Sequence, residues 1–107
     1  MALPLNVFKT LAANVPLSNT EVYTAPTGYT TIVLLAQTCN AGVTPESVTF
    51  AHKRASTETP VVWDYEIPQS QTLPMVQRLV LETGDKLVIY GTSTNLKYVI
   101  SLLETLK

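Results

Sequence analysis

Pro60-Val61-Val62-Trp63-Asp64-Tyr65-Glu66-Ile67 is the stretch that decides the fold class. Val61, Trp63, Tyr65 and Ile67 alternate with Val62, Asp64 and Glu66. This period of two is that of a β-strand with its large residues on one face. Just upstream, Ser47–Arg54 alternates as well. Val48 and Phe50 point one way, and Thr49, Ala51 and Lys53 the other. Ala55–Thr59 reads as a polar turn between the two strands.

The rest of the chain follows the same idiom. Residues 68–76 hold Pro68 and Pro74 and read as a loop. Arg78–Thr83 and Lys86–Gly91 flank Gly84-Asp85, with Leu79 and Leu81 matching Leu87 and Ile89, as in a hairpin. Glu21–Ala25 and Tyr29–Thr38 flank Ala25-Pro26-Thr27-Gly28. Pro26 presets φ there and Gly28 accepts φ > 0, which predicts another hairpin. Ile32-Val33-Leu34-Leu35-Ala36 is apolar on both faces, as expected of a central strand covered on both sides. Cys39–Glu46 is a loop, broken by Asn40, Gly42 and Pro45.

Both ends are less settled. Pro4 and Pro16 punctuate residues 1–20. They leave an edge strand near Leu5–Thr10 and a loop through Asn14–Asn19, or else an extended arm lying on a neighbouring subunit. At Leu96–Leu106, the apolar residues Leu96, Val99, Ile100, Leu103 and Leu106 fit helical spacing, whereas Tyr98, Ile100 and Leu102 alternate as in a strand. The sum is seven or eight short strands. That predicts one all-β domain, an antiparallel β-sandwich or jelly-roll-like fold with an extended N-terminal segment.

Composition narrows the function. The 107 residues fit one domain. Sixteen are threonine, a β-branched residue favouring strands. Only 14% are charged and the net charge is -1, which leaves no electrostatic footprint for nucleic acid or an anionic membrane. A weakly charged surface suits contact with other protein. The opening MALPLNVFKT lacks the pattern of a signal peptide, and the apolar run Ile32–Ala36 is too short to cross a bilayer. The lone Cys39 excludes an internal disulfide and reads as a buried free thiol.

No motif carries catalysis. His52 has no partners at metal-ligand spacing and no Gly-x-Ser-x-Gly elbow accompanies it, so it reads as a surface histidine. His52-Lys53-Arg54 reads as a solvated strand end that could meet an acidic protein partner. Asp64 and Glu66 share a face without the features of a glycosidase pair. The glycines Gly28, Gly42, Gly84 and Gly91 are isolated turn residues, not a phosphate loop. The aromatics read as core and interface, with a sugar platform as the alternative.

Val22-Tyr23-Thr24-Ala25-Pro26-Thr27-Gly28-Tyr29-Thr30-Thr31-Ile32-Val33 resembles a turn-bearing segment of the small structural virion proteins of tailed bacteriophages, including those of cyanobacterial phages. Asn40-Ala41-Gly42, Val48-Thr49-Phe50, the Thr83-Gly84-Asp85 turn and Asn95–Glu104 follow in the same order. The resemblance spans roughly residues 3–106. It implies a sandwich used in many copies on a virion, with Leu96–Glu104 as a strand closing the sheet. It further implies a capsid decoration (cement) protein assembled in the bacterial cytoplasm, or else a neck, tail or fibre component or a glycan-binding module of a tail fibre. The expected partners are phage structural proteins, the major capsid protein or neck and tail proteins, and further copies of the chain. No nucleic acid, membrane, cofactor or metal is expected, and no catalytic residue. The expected interface residues are Leu3, Leu5, Val7, Phe8, Trp63 and Tyr65.

Overall fold

A computed structural model describes residues 5–107. Nine strands follow in order: β1 (Asn6–Asn14), β2 (Thr20–Thr24), β3 (Tyr29–Asn40), β4 (Glu46–Arg54), β5 (Thr57–Ile67), β6 (Thr72–Val76), β7 (Leu79–Leu81), β8 (Lys86–Gly91) and β9 (Leu96–Leu106). They form two antiparallel sheets. One runs β1-β9-β3-β6, with β7 also paired to β3, and the other runs β2-β8-β4-β5. The inner faces meet in a core of Val33, Ala36, Ile100 and Leu102 from the first sheet against Val48, Phe50, Leu87 and Ile89 from the second. The all-β sandwich predicted from the pattern is the observed fold.

Both predicted hairpins are instead crossovers between the sheets. The turn at Gly28 (φ 86°) carries the chain from β2 in one sheet to β3 in the other, and the turn at Gly84 (φ 88°) does the same from β7 to β8. The turn chemistry is as read. What misleads is the matching of apolar residues: Leu81, Leu87 and Ile89 meet across the core rather than along a ladder. The two crossovers are tied together, Ala25 N–H donating to Asp85 O (2.8 Å) and Gly84 N–H to Ala25 O (3.0 Å). The true hairpin here is β4–β5, turning at Ala55 (φ 54°), so β5 starts within the expected polar turn.

The Pro-bearing segment read as a loop contains β6. Pro74 is tolerated because β6 is an edge strand, where an absent N–H costs no ladder bond. At the N-terminus the edge-strand reading holds and extends to Asn14. Asn6–Asn14 pairs with β9 of the same chain over its whole length, so these residues are not a free arm. Val15, expected in a loop, is fully buried, its N–H donating to Leu96 O (2.8 Å).

The segment 96–106 is strand β9. Its even-numbered residues Leu96, Tyr98, Ile100 and Leu102 are buried, while Val99 and Leu103 on its other face supply the apparent helical spacing. Both β9 and β3 are central within their sheet, as the double-sided apolarity of Ile32–Ala36 predicted for β3. Only one face of each is covered, however: Ile32, Leu35, Val99 and Leu103 are half-buried and Leu34 is exposed.

Candidate functional site: the open face of the first sheet

The uncovered face follows from register. Residues opposite one another in a ladder share a face. Phe8 lies opposite Leu103, Leu103 opposite Ile32, and Ile32 opposite Val80. This gives an unbroken apolar row across four strands on the side away from the core. Its two ends are the most open, Phe8 at 73% and Val80 at 56% exposure. Beside it run Thr10-Ser101-Leu35 and Ala12-Val99-Gln37-Pro74, then Asn14-Lys97-Cys39-Thr72 at the far end. Among these paired positions the one charge is Lys97. Its ammonium donates to Asn14 Oδ1 (2.7 Å) and Thr94 O (2.9 Å). Cys39 is half-buried on this face rather than sealed in the core.

The expected interface residues divide into two groups. Leu3 lies outside the described residues. Leu5 and Phe8 are exposed along the β1 edge, and Val7 is half-buried on the inner side of the sheet, opposite Glu104. Trp63 (69% exposed) and Tyr65 (54%) stand on β5, at the edge of the second sheet beside β6. Tyr65 and Ile67 share a face, opposite Val48 and Glu46 with no break between them, but Val61 does not lie on it. Two register breaks, with Asp64 at φ 46° in one of them, shift the alternation. As a result Val62 packs against the core and Ile67 is buried, while Val61 is exposed. The sequence reading missed Leu103, Ile32 and Val80. The signal for Ile32 and Leu103 was the surplus of apolar residues on both faces of 32–36 and 96–106; Val80, in the apolar run Leu79-Val80-Leu81, stood out only once β7 was placed beside β3.

The buried polar groups Glu104 and Asp85 are held by partners within the sandwich. Glu104, nearly fully buried, accepts from the Tyr23 hydroxyl (2.5 Å) and pairs with Lys9 Nζ (3.1 Å). Tyr23 thereby links the second sheet to the first, and its hydroxyl is within 2.8 Å of Thr31 Oγ1. Burial, followed by the Glu104 carboxylate, holds the Tyr23 phenol above the usual tyrosine range. Asp85, also buried, accepts from Arg54 Nε (2.8 Å), Arg54 Nη2 (2.7 Å) and the Glu82 N–H (2.9 Å), with His52 Nε2 at 3.0 Å. The Arg54 guanidinium first, assisted by His52 and the Glu82 N–H, keeps its carboxyl well below the usual carboxylate range against the cost of burial.

His52 is therefore a part-buried partner of Asp85 and not a surface residue. The basic run is not a free solvated end either, because Lys53 pairs with Glu21 (2.9 Å) and Arg54 also reaches Glu82 (2.8 Å). Asn40, read as a loop breaker, is buried. It donates to Thr44 O (2.8 Å) and Ile67 O (2.9 Å) and accepts from Gly42 N–H (2.9 Å). Asp64 and Glu66 are exposed. Among the described residues, no group of three His, Cys, Asp or Glu is placed to hold a metal, and no helix is long and apolar enough to cross a membrane.

The fold and this face define a β-sandwich domain with one broad, nearly uncharged sheet surface turned to solvent. No family model and no curated protein matches the chain. Two solved structures share the fold at 12% identity. One is reported under the description "Bacillus endospore appendages form a novel family of disulfide-linked pili", with a TM-score of 0.55 over 95% of this chain and 88% of that one. The other is the nucleoplasmin-like N-terminal domain of Drosophila FKBP39, with a TM-score of 0.53 over 100% of this chain and 97% of that one.

Proposed function

We propose that this protein is a non-catalytic structural subunit that works in many copies by burying the open face of its first sheet against other protein. The observation that carries the reading is the row Phe8-Leu103-Ile32-Val80, flanked by Thr, Ser, Ala, Val and Leu. An apolar surface spanning four strands, with its one charge at the margin, is the profile of an interaction site. The two central strands are apolar on both sides, a pattern that ordinarily belongs to sheets covered on both faces. A subunit that is covered only on assembly accounts for both facts. The fold is compatible with such work, since one similar structure is that of a pilus-forming protein.

The resemblance of the sequence to tailed-phage virion proteins makes a capsid decoration protein the specific form of this proposal, with a neck, tail or fibre position as the alternative. Cryo-EM of purified particles tests it. Copies at the local symmetry axes of the shell with Phe8 and Val80 at the contact are the expected result. Copies in a ring or fibre below the portal would move the position, and absence from the particle would overturn the virion reading. Independently, Val80→Lys places a charge at the exposed β7 end of the apolar row. It is expected to abolish assembly while leaving the monomer folded.

A second reading rests on the opposite edge. Tyr65, Glu66, Gln71 and Thr72 line a shallow cavity of about 240 Å³. An aromatic wall beside a carboxylate, an amide and a hydroxyl has the composition of a sugar site. Glycan binding lost in Tyr65→Ala with the fold retained is the result that would favour it.

A further inference from the structure

A sandwich of two open sheets has exposed strand edges, and natural β-proteins guard such edges. Here three sides are guarded. β5 carries Pro60 and two register breaks. β2 is five residues long with a break between Glu21 and Tyr23. On the far side of the first sheet, β6 is short and holds Pro74, and β7 has three residues. β1 alone is unguarded: nine residues, no proline within it, and an uninterrupted register from Asn6 to Asn14. Among the described residues no strand lies beyond it.

The bonds at its two ends show which backbone groups are free. Leu106 N–H donates to Leu5 O and Val15 N–H donates to Leu96 O, both at 2.8 Å. In an antiparallel ladder the groups facing the partner belong to every second residue. The odd-numbered residues of β1 therefore bond to β9, and Asn6, Phe8, Thr10, Ala12 and Asn14 turn their N–H and C=O outward. Those same five carry the uncharged side chains of the open face. The one charge on β1, Lys9, is on the inner side of the strand, where its half-exposed side chain pairs with Glu104 on β9 (3.1 Å), so it is neutralised within the chain and adds no charge to the open face.

We infer that β1 pairs with β1 of a second copy of this chain, antiparallel, about a two-fold axis at Thr10. The strand is self-complementary in that register. Asn6 faces Asn14 of the other copy, Phe8 faces Ala12 so that a large side chain meets a small one, and Thr10 faces Thr10. The five outward residues of each copy then form about ten backbone hydrogen bonds. No like charges are brought opposite one another. The contact is isologous and closes as a dimer, leaving no edge to propagate. It also joins the two open faces into one, with Phe8 of each row carried on into Ala12 and Val99 of the other copy. The inference rests on the proposed structural role and names the first partner in it.

Sedimentation of the full chain is the test. At about 100 μM the chain is expected to run at the mass of a dimer. Thr10→Lys, on an exposed position whose N–H is not used within the chain, sets two ammonium groups face to face. It is expected to give a monomer with an unchanged circular dichroism spectrum. In a Cys39→Ser background, Thr10→Cys is expected to form a disulfide-linked dimer on mild oxidation, and Glu58→Cys to stay monomeric. A monomeric wild-type chain, a dimer that survives Thr10→Lys, or equal cross-linking at positions 10 and 58 would overturn the pairing. Co-sedimentation of Thr10→Lys with assembled particles separates the two proposals: retained binding with loss of the dimer leaves the structural role standing, and a dimer that binds no particle does the reverse.

Discussion

Asp85→Ala offers the sharpest test of how this sandwich is held at one end. The carboxylate sits at the crossover from β7 to β8. It accepts from the Glu82 N–H and both Arg54 nitrogens, and His52 Nε2 lies at 3.0 Å. Truncation leaves the Glu82 N–H and the part-buried His52 without their partner. Arg54, more than half exposed, turns to water and is counted as nothing. Each stranded group costs about 1–2 kcal/mol. The expected loss is therefore about 2–4 kcal/mol, or roughly 10–25 °C in Tm for a domain of this size. Urea unfolding followed by tryptophan fluorescence measures it. The pH dependence adds a second check. The folded carboxyl is held below its unfolded value of about 3.9, so its stabilisation is fully present above that pH and fades as the pH falls further. Asp85→Asn keeps the shape of the side chain and should flatten the acid limb between about pH 4 and 2. A loss below about 1 kcal/mol in Asp85→Ala, together with an acid limb unchanged in Asp85→Asn, would refute the view that this carboxylate organises the crossover.

Three further outcomes follow from the same structure. The Tyr23 phenol is raised in the folded state, so its stabilisation is complete below about pH 10 and is lost as the pH climbs through the folded value; melting curves from pH 8 to 12 should show this limb in the wild type and not in Tyr23→Phe. Gly91→Ala puts a Cβ 2.8 Å from Leu96 Cδ1 and 2.9 Å from Ser47 O, and should cost about 1–3 kcal/mol by denaturant titration. Trp63→Ala removes a side chain that is mostly in water, and thermal melts should register a change within about 0.5 kcal/mol.

Local chemistry made most of the elements legible. Period-two alternation marks β4 and most of β5. Gly28 and Gly84 mark turns because only glycine adopts a positive φ freely, and Pro4 and Pro16 bracket an edge strand. The same logic failed where one extra residue entered a strand. The breaks in β5 reverse which residues face inward, and no single-residue signal in Val61–Glu66 announces them.

The amino-acid sequence by itself determined the all-β class, the positions of the turns at Gly28 and Gly84, and the core residues of β4, β8 and β9. Tertiary structure alone decided which sheet each strand joined. Apolar residues that match across a turn satisfy a ladder and a two-sheet core equally well, and Leu81 and Leu87 took the core. It also decided what the second apolar face of β3 and β9 means. Hydrophobic pattern reports that a surface prefers to leave water, but whether the same chain covers it depends on where the remaining strands go, and here they leave it open.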